Sequence, residues 1–93
     1  MSDWNNSPSA PERTRILNDR LFEAAQRVPW AAKYRHKKGG IYEISGYSIN
    51  TDTGNVDVRY KRIGGPDFDA ALEQGIFFSR PIEEFTEDRF VRI

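Results

Sequence analysis

The chain has 93 residues, no cysteine and one histidine, and its 14 basic side chains balance its 14 acidic ones. This length suits one domain, and without cysteine a disulfide framework and thiol catalysis are excluded and a structural zinc site is not expected. No apolar run approaches the roughly 20 residues that span a bilayer, and residues 1–8 lack the pattern of a signal peptide. We therefore expect a cytoplasmic protein that has no cofactor and does not enter a membrane.

Charge is distributed unevenly along the chain. Residues 31–62 carry seven basic and three acidic side chains, whereas residues 63–93 carry three basic and seven acidic ones. The basic middle segment permits a local anion site, although the same distribution would arise if the two segments simply complemented each other. The balanced total argues against double-stranded DNA as a partner, because a protein that coats DNA needs a basic surplus.

The first predicted element is an amphipathic helix within residues 9–30, preceded by a polar segment, residues 1–8, that we expect to be disordered. Ser9 and Glu12 can form a capping box at the start of the helix, and Pro29 ends it. An isolated helix of this length is marginal in water, so its apolar face must pack on the chain's own sheet or on a second subunit. The candidate residues for an oligomer or partner interface are Leu17, Leu21, Phe22 and Val28.

Beyond the helix, apolar residues recur with a period of two, which indicates strands. In the second strand, Tyr42, Ile44 and Gly46 are expected on one face. The five predicted strands are residues 33–36, 41–49, 56–61, 76–79 and 89–93. Their connections are predicted as a turn at Gly39-Gly40, a hairpin loop at 50–55, a helical turn capped by Asp67 and a 3₁₀ turn at 82–85. This order predicts a mainly-β fold, a small five-stranded SH3-like barrel at residues 33–93 preceded by one N-terminal α-helix.

Two stretches of this pattern carry a family resemblance. The first is Tyr34-Arg35-His36-x-Lys38-Gly39-x-x-Tyr42-x-Ile44-x-Gly46, and the second is Phe78-x-Arg80-Pro81-Ile82-x-x-Phe85. Together with Val58-x-Tyr60 and Arg89-Phe90, they resemble the small bacterial and phage family known as domain of unknown function 1653, over residues 33–93. The chain departs from the family pattern in having Phe78 where Trp is expected and a longer segment at 64–75. The resemblance implies an SH3-like β-barrel and no particular activity.

No constellation of residues points to an enzyme. His36 is the only imidazole, and no nucleophile or orienting acid accompanies it in the sequence. Its basic neighbours favour the neutral ring, and we expect the ring to bond a backbone carbonyl at the end of its strand. There is no glycine-rich phosphate-binding motif and no metal-ligand spacing. The chain is therefore predicted to be non-enzymatic.

The sharper hypothesis is a domain that binds a small anionic ligand, nucleotide-like or phosphate-bearing. Basic side chains precede a Gly pair whose backbone can approach a ligand closely, and aromatic rings offer stacking faces. Because side chains alternate along a strand, at most half of the cations at residues 35–38 can face one ligand. The candidate ligand-binding residues are Arg35, His36, Lys38, Tyr42, Arg59, Phe78 and Arg80. The competing interpretation pairs Arg80 with an acid of the C-terminal segment and packs the tyrosines in the core.

Two other binding functions stay open. One is a protein-interaction module, such as a phage-type inhibitor or adaptor of a host complex, because SH3-like barrels bind peptides in aromatic grooves. The other is single-stranded nucleic-acid binding, for which basic and aromatic residues alternate at 33–38 and 59–62. In either case, or with a small ligand, we expect a homo-oligomer, because a pocket with enough convergent groups forms most easily at a subunit interface.

Overall fold

In the computed structural model, which describes residues 9–85 and 88–93, an N-terminal helix precedes a five-stranded sheet. The predicted disordered segment at residues 1–8 lies outside the described residues. The elements in chain order are helix α1 (Ala10–Arg27), strand β1 (Lys33–His36), strand β2 (Ile41–Ile49), strand β3 (Val56–Gly64), helix α2 (Ala70–Glu73), strand β4 (Phe78–Pro81), a 3₁₀ helix (Ile82–Glu84) and strand β5 (Phe90–Arg92).

Helix α1 begins with Ser9 as the predicted N-terminal cap and packs on the chain's own sheet. Ser9 Oγ accepts a hydrogen bond from the N–H of Glu12 at 3.3 Å, which satisfies one of the free donors of the first turn. At the other end, the N–H of Val28 donates to the carbonyl of Ala24 at 2.8 Å. Ala24 and Val28 are both buried in the core, so the apolar face of α1 has a partner within the same chain.

All five strands belong to one antiparallel sheet with the order β4-β3-β2-β1-β5. Strands β2 and β3 form the predicted central hairpin, and Gly54 in its loop has φ +72, a left-handed conformation that glycine adopts without steric cost. Strands β4 and β5 are the two edges, and the sheet does not close between them. The mainly-β fold with an N-terminal helix is therefore confirmed, whereas the closed barrel is not.

A β-bulge in β2 changes which of its residues face the core. Between Ile44 and Gly46 the register with β3 shifts, which leaves Ser45 as an extra residue. Past this point Tyr47 packs against the core, so the core-facing positions change from even to odd numbers. The prediction that Gly46 shares a face with Tyr42 and Ile44 is therefore wrong.

Strand β4 lies two residues further along the chain than predicted. It spans Phe78–Pro81 instead of residues 76–79 and pairs with β3. The last residue of β4 is Pro81, and a proline cannot donate a ladder hydrogen bond. Strand β4 is an edge, however, and a proline is tolerated where one side of the strand has no neighbour.

The cap of helix α2 is also displaced. The carboxylate of Asp69 accepts hydrogen bonds from the N–H of Ala71 at 3.0 Å and of Leu72 at 3.3 Å. Asp67, the predicted cap, has φ +58 and lies in the preceding turn. Because a capping residue needs an extended backbone, which Asp69 has at φ −128 and ψ 108, the prediction of Asp67 is wrong.

The turns that follow β1 and β3 pack on each other. Gly65 has φ +99, and a Cβ at this position would lie 2.5 Å from the carbonyl oxygen of Gly39. Only glycine therefore permits this approach, which holds the turn after His36 against the turn after β3.

The core lies between α1 and one face of the sheet. Its most buried large side chains are Ile44 and Val58, on the two central strands. Partly buried Leu21 of α1 and Tyr47 of β2 pack around this centre, and the hydroxyl of Tyr47 donates to the carbonyl of Val28. In the described part of the chain, no helix combines the length and the apolar character needed to cross a membrane.

Candidate functional site

One face of the sheet gathers an aromatic cluster. Every strand contributes to it, because paired residues of neighbouring strands lie on the same face of a sheet. The 3₁₀ helix adds the ring that follows it. The seven rings of the cluster are those of Tyr34, His36, Tyr42, Tyr60, Phe78, Phe85 and Phe90.

Phe90 of β5 lies at the centre of this cluster. Its ring stacks on Phe85 with centroids 4.1 Å apart and planes 6° from parallel. His36 and Tyr60 meet Phe90 edge-on, at 5.1 Å and 5.8 Å. Aromatic pairs of this kind contribute about 0.5–1.5 kcal/mol each beyond the area that they bury. Phe90 itself is almost completely buried, so its main role in the cluster is to hold the other rings together.

Phe78 is the ring at the outer edge of the cluster. It stacks on Tyr60 with centroids 5.7 Å apart and meets Tyr42 edge-on at 6.1 Å. Phe78 is also partly open to solvent, since 39% of the residue is exposed. Among the rings of the cluster it is therefore one that a planar ligand could reach.

Arg80 places a fixed cation beside these rings. Its guanidinium carbon lies 5.6 Å from the centroid of Phe90, its Nε donates to the hydroxyl of Tyr60 at 3.4 Å, and its Nη1 donates to Oε1 of Glu84 at 3.1 Å. The hydrogen bond with Tyr60 has the largest influence on the pKa of Arg80 and raises it above its ordinary value, so the guanidinium stays charged. The competing interpretation of Arg80, an internal pair with an acid of the C-terminal segment, is therefore also present in the structure.

His36 lies between the aromatic cluster and a group of cations. Burial lowers its pKa most, and the charges of Arg80, Lys37, Lys38 and Arg89 lower it further. The N–H of Lys38 donates to Nδ1 of the ring at 3.2 Å. The backbone contact seen at Nδ1 is therefore with an N–H group, and the expected bond to a backbone carbonyl stays a prediction for the other ring nitrogen. A neutral ring that accepts at Nδ1 carries its proton on Nε2 and remains a donor there.

The structure divides the predicted ligand-binding residues into two groups. His36, Tyr42, Phe78 and Arg80 meet in or beside the aromatic cluster, and the backbone of Lys38 bonds His36 at its edge. The other two do not join them, because Arg35 and Arg59 are exposed positions that alternate with buried Tyr34 and Tyr60.

Arg59 instead covers the ring of Phe77, with 5.5 Å between the guanidinium carbon and the ring centroid. Arg35 is paired in register with Ile41 and Val91 on the face away from the aromatic cluster. Neither arginine can therefore serve the same ligand as Arg80.

The predicted interface residues of α1 are likewise divided. Val28 is buried in the core, Leu21 packs against it, and Leu17 is half-buried. Phe22 is exposed over 67% of its surface. Of the four, Phe22 is the side chain left for a second molecule to cover.

Sequence reasoning missed three residues as members of the site. Tyr60 and Glu84 hold Arg80, and Phe90 supports its guanidinium. The spacing of Arg80 and Glu84, four residues apart across a 3₁₀ helix, was a signal for their pairing. The position of Phe90 had none, because it depends on β5 pairing with β1 over more than 50 residues of intervening chain.

The family model described as "Protein of unknown function (DUF1653)" matches residues 32–91, a range that begins just before β1 and contains the whole aromatic cluster. Neither the curated proteins nor the solved structures gave a match. Within residues 9–85 and 88–93, no group of three His, Asp or Glu side chains could hold a metal ion.

Proposed function

The chain belongs to the DUF1653 family of proteins of unknown function, and we propose that it is a non-enzymatic domain that binds a small anionic ligand beside its aromatic cluster. We also propose that the sheet belongs to an SH3-like barrel. Five short antiparallel strands with a 3₁₀ helix before the last of them have the order expected of an SH3-like barrel, a fold whose aromatic surface is a common binding face.

The observation that carries the proposal is the electrostatic setting of His36. Burial lowers the pKa of His36 most, and the charges of four nearby cations lower it further, so the potential that these cations create beside the aromatic cluster is positive. A positive potential next to a partly exposed ring suits a ligand that has both a negative group and a planar group, as a nucleotide does.

The free energy of each interaction determines how many protein groups the ligand must contact. A charge-assisted hydrogen bond contributes about 1.5–3 kcal/mol and a base stacked on an aromatic ring about 1–3 kcal/mol, whereas micromolar affinity requires about 8 kcal/mol. Arg80 and Phe78 together fall short of that value. Donors from His36 and Lys38 would close the gap, and the exposed carboxylate of Glu84 would yield its place on Arg80 to the ligand.

Titration calorimetry with inorganic phosphate, mononucleotides, dinucleotides and a labelled single-stranded oligonucleotide tests the proposal. We expect one of the small phosphates to bind the wild-type protein and to lose at least tenfold in affinity in Arg80→Ala. The matched control is Arg59→Ala, which removes the same group from the neighbouring strand on the opposite face and should leave binding unchanged. If no compound binds, or if Arg80→Ala lowers only stability, the small-ligand proposal fails. Tighter binding of the oligonucleotide would favour single-stranded nucleic acid instead.

A second candidate, the protein-interaction module, is supported by a different observation. Large apolar side chains are exposed on several elements, and such surface favours contact with protein partners or with a second copy of the chain. The most exposed of them are Phe22, Trp30 and Leu72. A single protein recovered in stoichiometric amount from host lysate by the wild type, and not by Phe22→Ser, would favour this candidate.

A further inference from the structure

Strand β5 is an open edge of the sheet. The N–H of Lys37 donates to the carbonyl of Arg89 at 2.9 Å, and the N–H of Ile93 donates to the carbonyl of Lys33 at 3.0 Å. Antiparallel pairing alternates, so the odd-numbered residues of β5 bond β1 and the even-numbered ones point their N–H and C=O groups outward. Among the described residues nothing pairs with the outward groups of Phe90 and Arg92.

A groove of about 760 Å³ runs between this edge and the end of α1. Its floor is apolar, formed by the rings of Phe85 and Phe90, and Val91 lies at its rim. Volumes of this order are typical of binding sites for small molecules and short peptides. The groove lies at the β5 end of the aromatic cluster, and none of its lining residues is one of the cations near His36.

The charged side chains of the groove are both arginines, which are hydrogen-bond donors. Arg27 comes from the last turn of α1 and Arg92 from β5, and in residues 9–85 and 88–93 neither has an ion-pair partner. The charge of Arg92 also acts on the hydroxyl of Tyr34, which lines the groove as well. Two guanidinium groups and a phenol beside apolar rings complement a carboxylate, since arginine binds carboxylates with two parallel hydrogen bonds.

We propose that this groove binds an extended acidic peptide segment of another protein, which adds as a strand to the outer edge of β5 and places a carboxylate between Arg27 and Arg92. The backbone of the peptide bonds Phe90 and Arg92, and its apolar side chains lie on the aromatic floor. Strand addition of this kind takes affinity from the main chain and specificity from alternate side chains. The proposal concerns a different end of the aromatic cluster and a different class of partner from the small anionic ligand near Arg80.

An array of random octapeptides probed with the full chain tests the chemistry of the partner. We expect the bound peptides to be enriched in Glu and Asp, and the enrichment to disappear with the double variant Arg27→Ala/Arg92→Ala. In fluorescence anisotropy, the strongest peptide should bind the double variant at least tenfold more weakly. The control Arg15→Ala removes an exposed arginine about 18 Å away along α1 and should change nothing.

Amide hydrogen exchange measured by NMR tests the geometry. Bound peptide should slow the exchange of the Phe90 and Arg92 amides, because they become hydrogen-bonded. The proposal is overturned if the array shows no acidic enrichment, if the double variant binds the peptide as the wild type does, or if the two amides exchange at the same rate in the complex. Arg80 does not line this groove, so loss of small-ligand binding in Arg80→Ala has no bearing on the result.

Discussion

His36 is the residue of the candidate site whose titration links charge to stability. Burial and the neighbouring cations hold its pKa below the ordinary value of about 6.5. The unfolded chain therefore binds more protons than the folded chain at pH values between the two pKa values. By linkage, the contribution of neutral His36 to the free energy of unfolding is complete above about pH 6.5 and is lost as the pH falls through the folded-state pKa.

The variant His36→Gln should weaken this pH dependence, because glutamine can hydrogen-bond but does not titrate. Urea unfolding at about pH 7.5 and about pH 5.5 measures the effect. We expect the free energy of unfolding to fall more steeply with acid in the wild type than in the variant. The carboxylates titrate in both proteins and cancel in the comparison. Equal losses in the two proteins would show that the environment of His36 does not disfavour its protonation.

Alternation along strands accounts for the part of the site that could be predicted from single residues. The pattern placed Arg35 and His36 on opposite faces, and the structure agrees. Alternation could also have excluded Arg59 from the predicted ligand-binding residues, because Arg59 alternates with the buried residue Tyr60. What alternation cannot supply is the identity of neighbouring strands. The meeting of Arg80 with Phe90 depends on that tertiary arrangement.

At the scale of elements, helix α1 is held by a few contacts that the sequence pattern does indicate. Val28 is almost completely buried, whereas Phe22 is mostly exposed, although both were expected on an interface. We expect Val28→Ala to lower the free energy of unfolding by about 2 kcal/mol, because two buried methyl groups are lost and a cavity remains. Phe22→Ala should change it by less than about 0.5 kcal/mol in the monomer.

Urea denaturation of both variants at low protein concentration measures these two changes in the free energy of unfolding. Equal destabilisation by the two substitutions would mean that α1 does not dock on the sheet through its Val28 face. The concentration must be low, because Phe22 could otherwise contribute through self-association and hide the difference.

The boundaries of an element could be predicted where a nearby side chain marks them. They could not be predicted where they depend on the alignment of neighbouring strands in the sheet. Ser9 caps α1 as its side chain predicts. The bulge at Ser45 and the shifted start of β4 have no such signal, because each depends on how β3 aligns with its neighbours. The bulge still shapes the sheet around the candidate site, since Tyr42 before it faces the aromatic cluster and Tyr47 after it bonds Val28.

At the scale of the whole molecule, the chain exposes more apolar surface than its own core can cover. Phe22 on α1 and Trp30 in the link to β1 are both about two-thirds exposed. Covering one such side chain stabilises a complex by about 1.5–3 kcal/mol. In a two-fold symmetric dimer every contact occurs twice, so the gain from a small patch doubles.

We therefore expect the protein to self-associate through this part of its surface, and native mass spectrometry measures the result directly. The wild type should appear at a multiple of the 10.8 kDa chain mass, and Phe22→Ser combined with Trp30→Ser should shift it towards the single chain. Leu72→Ser is the matched control, because Leu72 is exposed to a similar degree on α2. A wild type that stays at the mass of one chain, or a shift caused equally by Leu72→Ser, would contradict an interface at α1. A ligand carried through purification would add its mass to the same spectrum, so oligomer and ligand are read from one measurement.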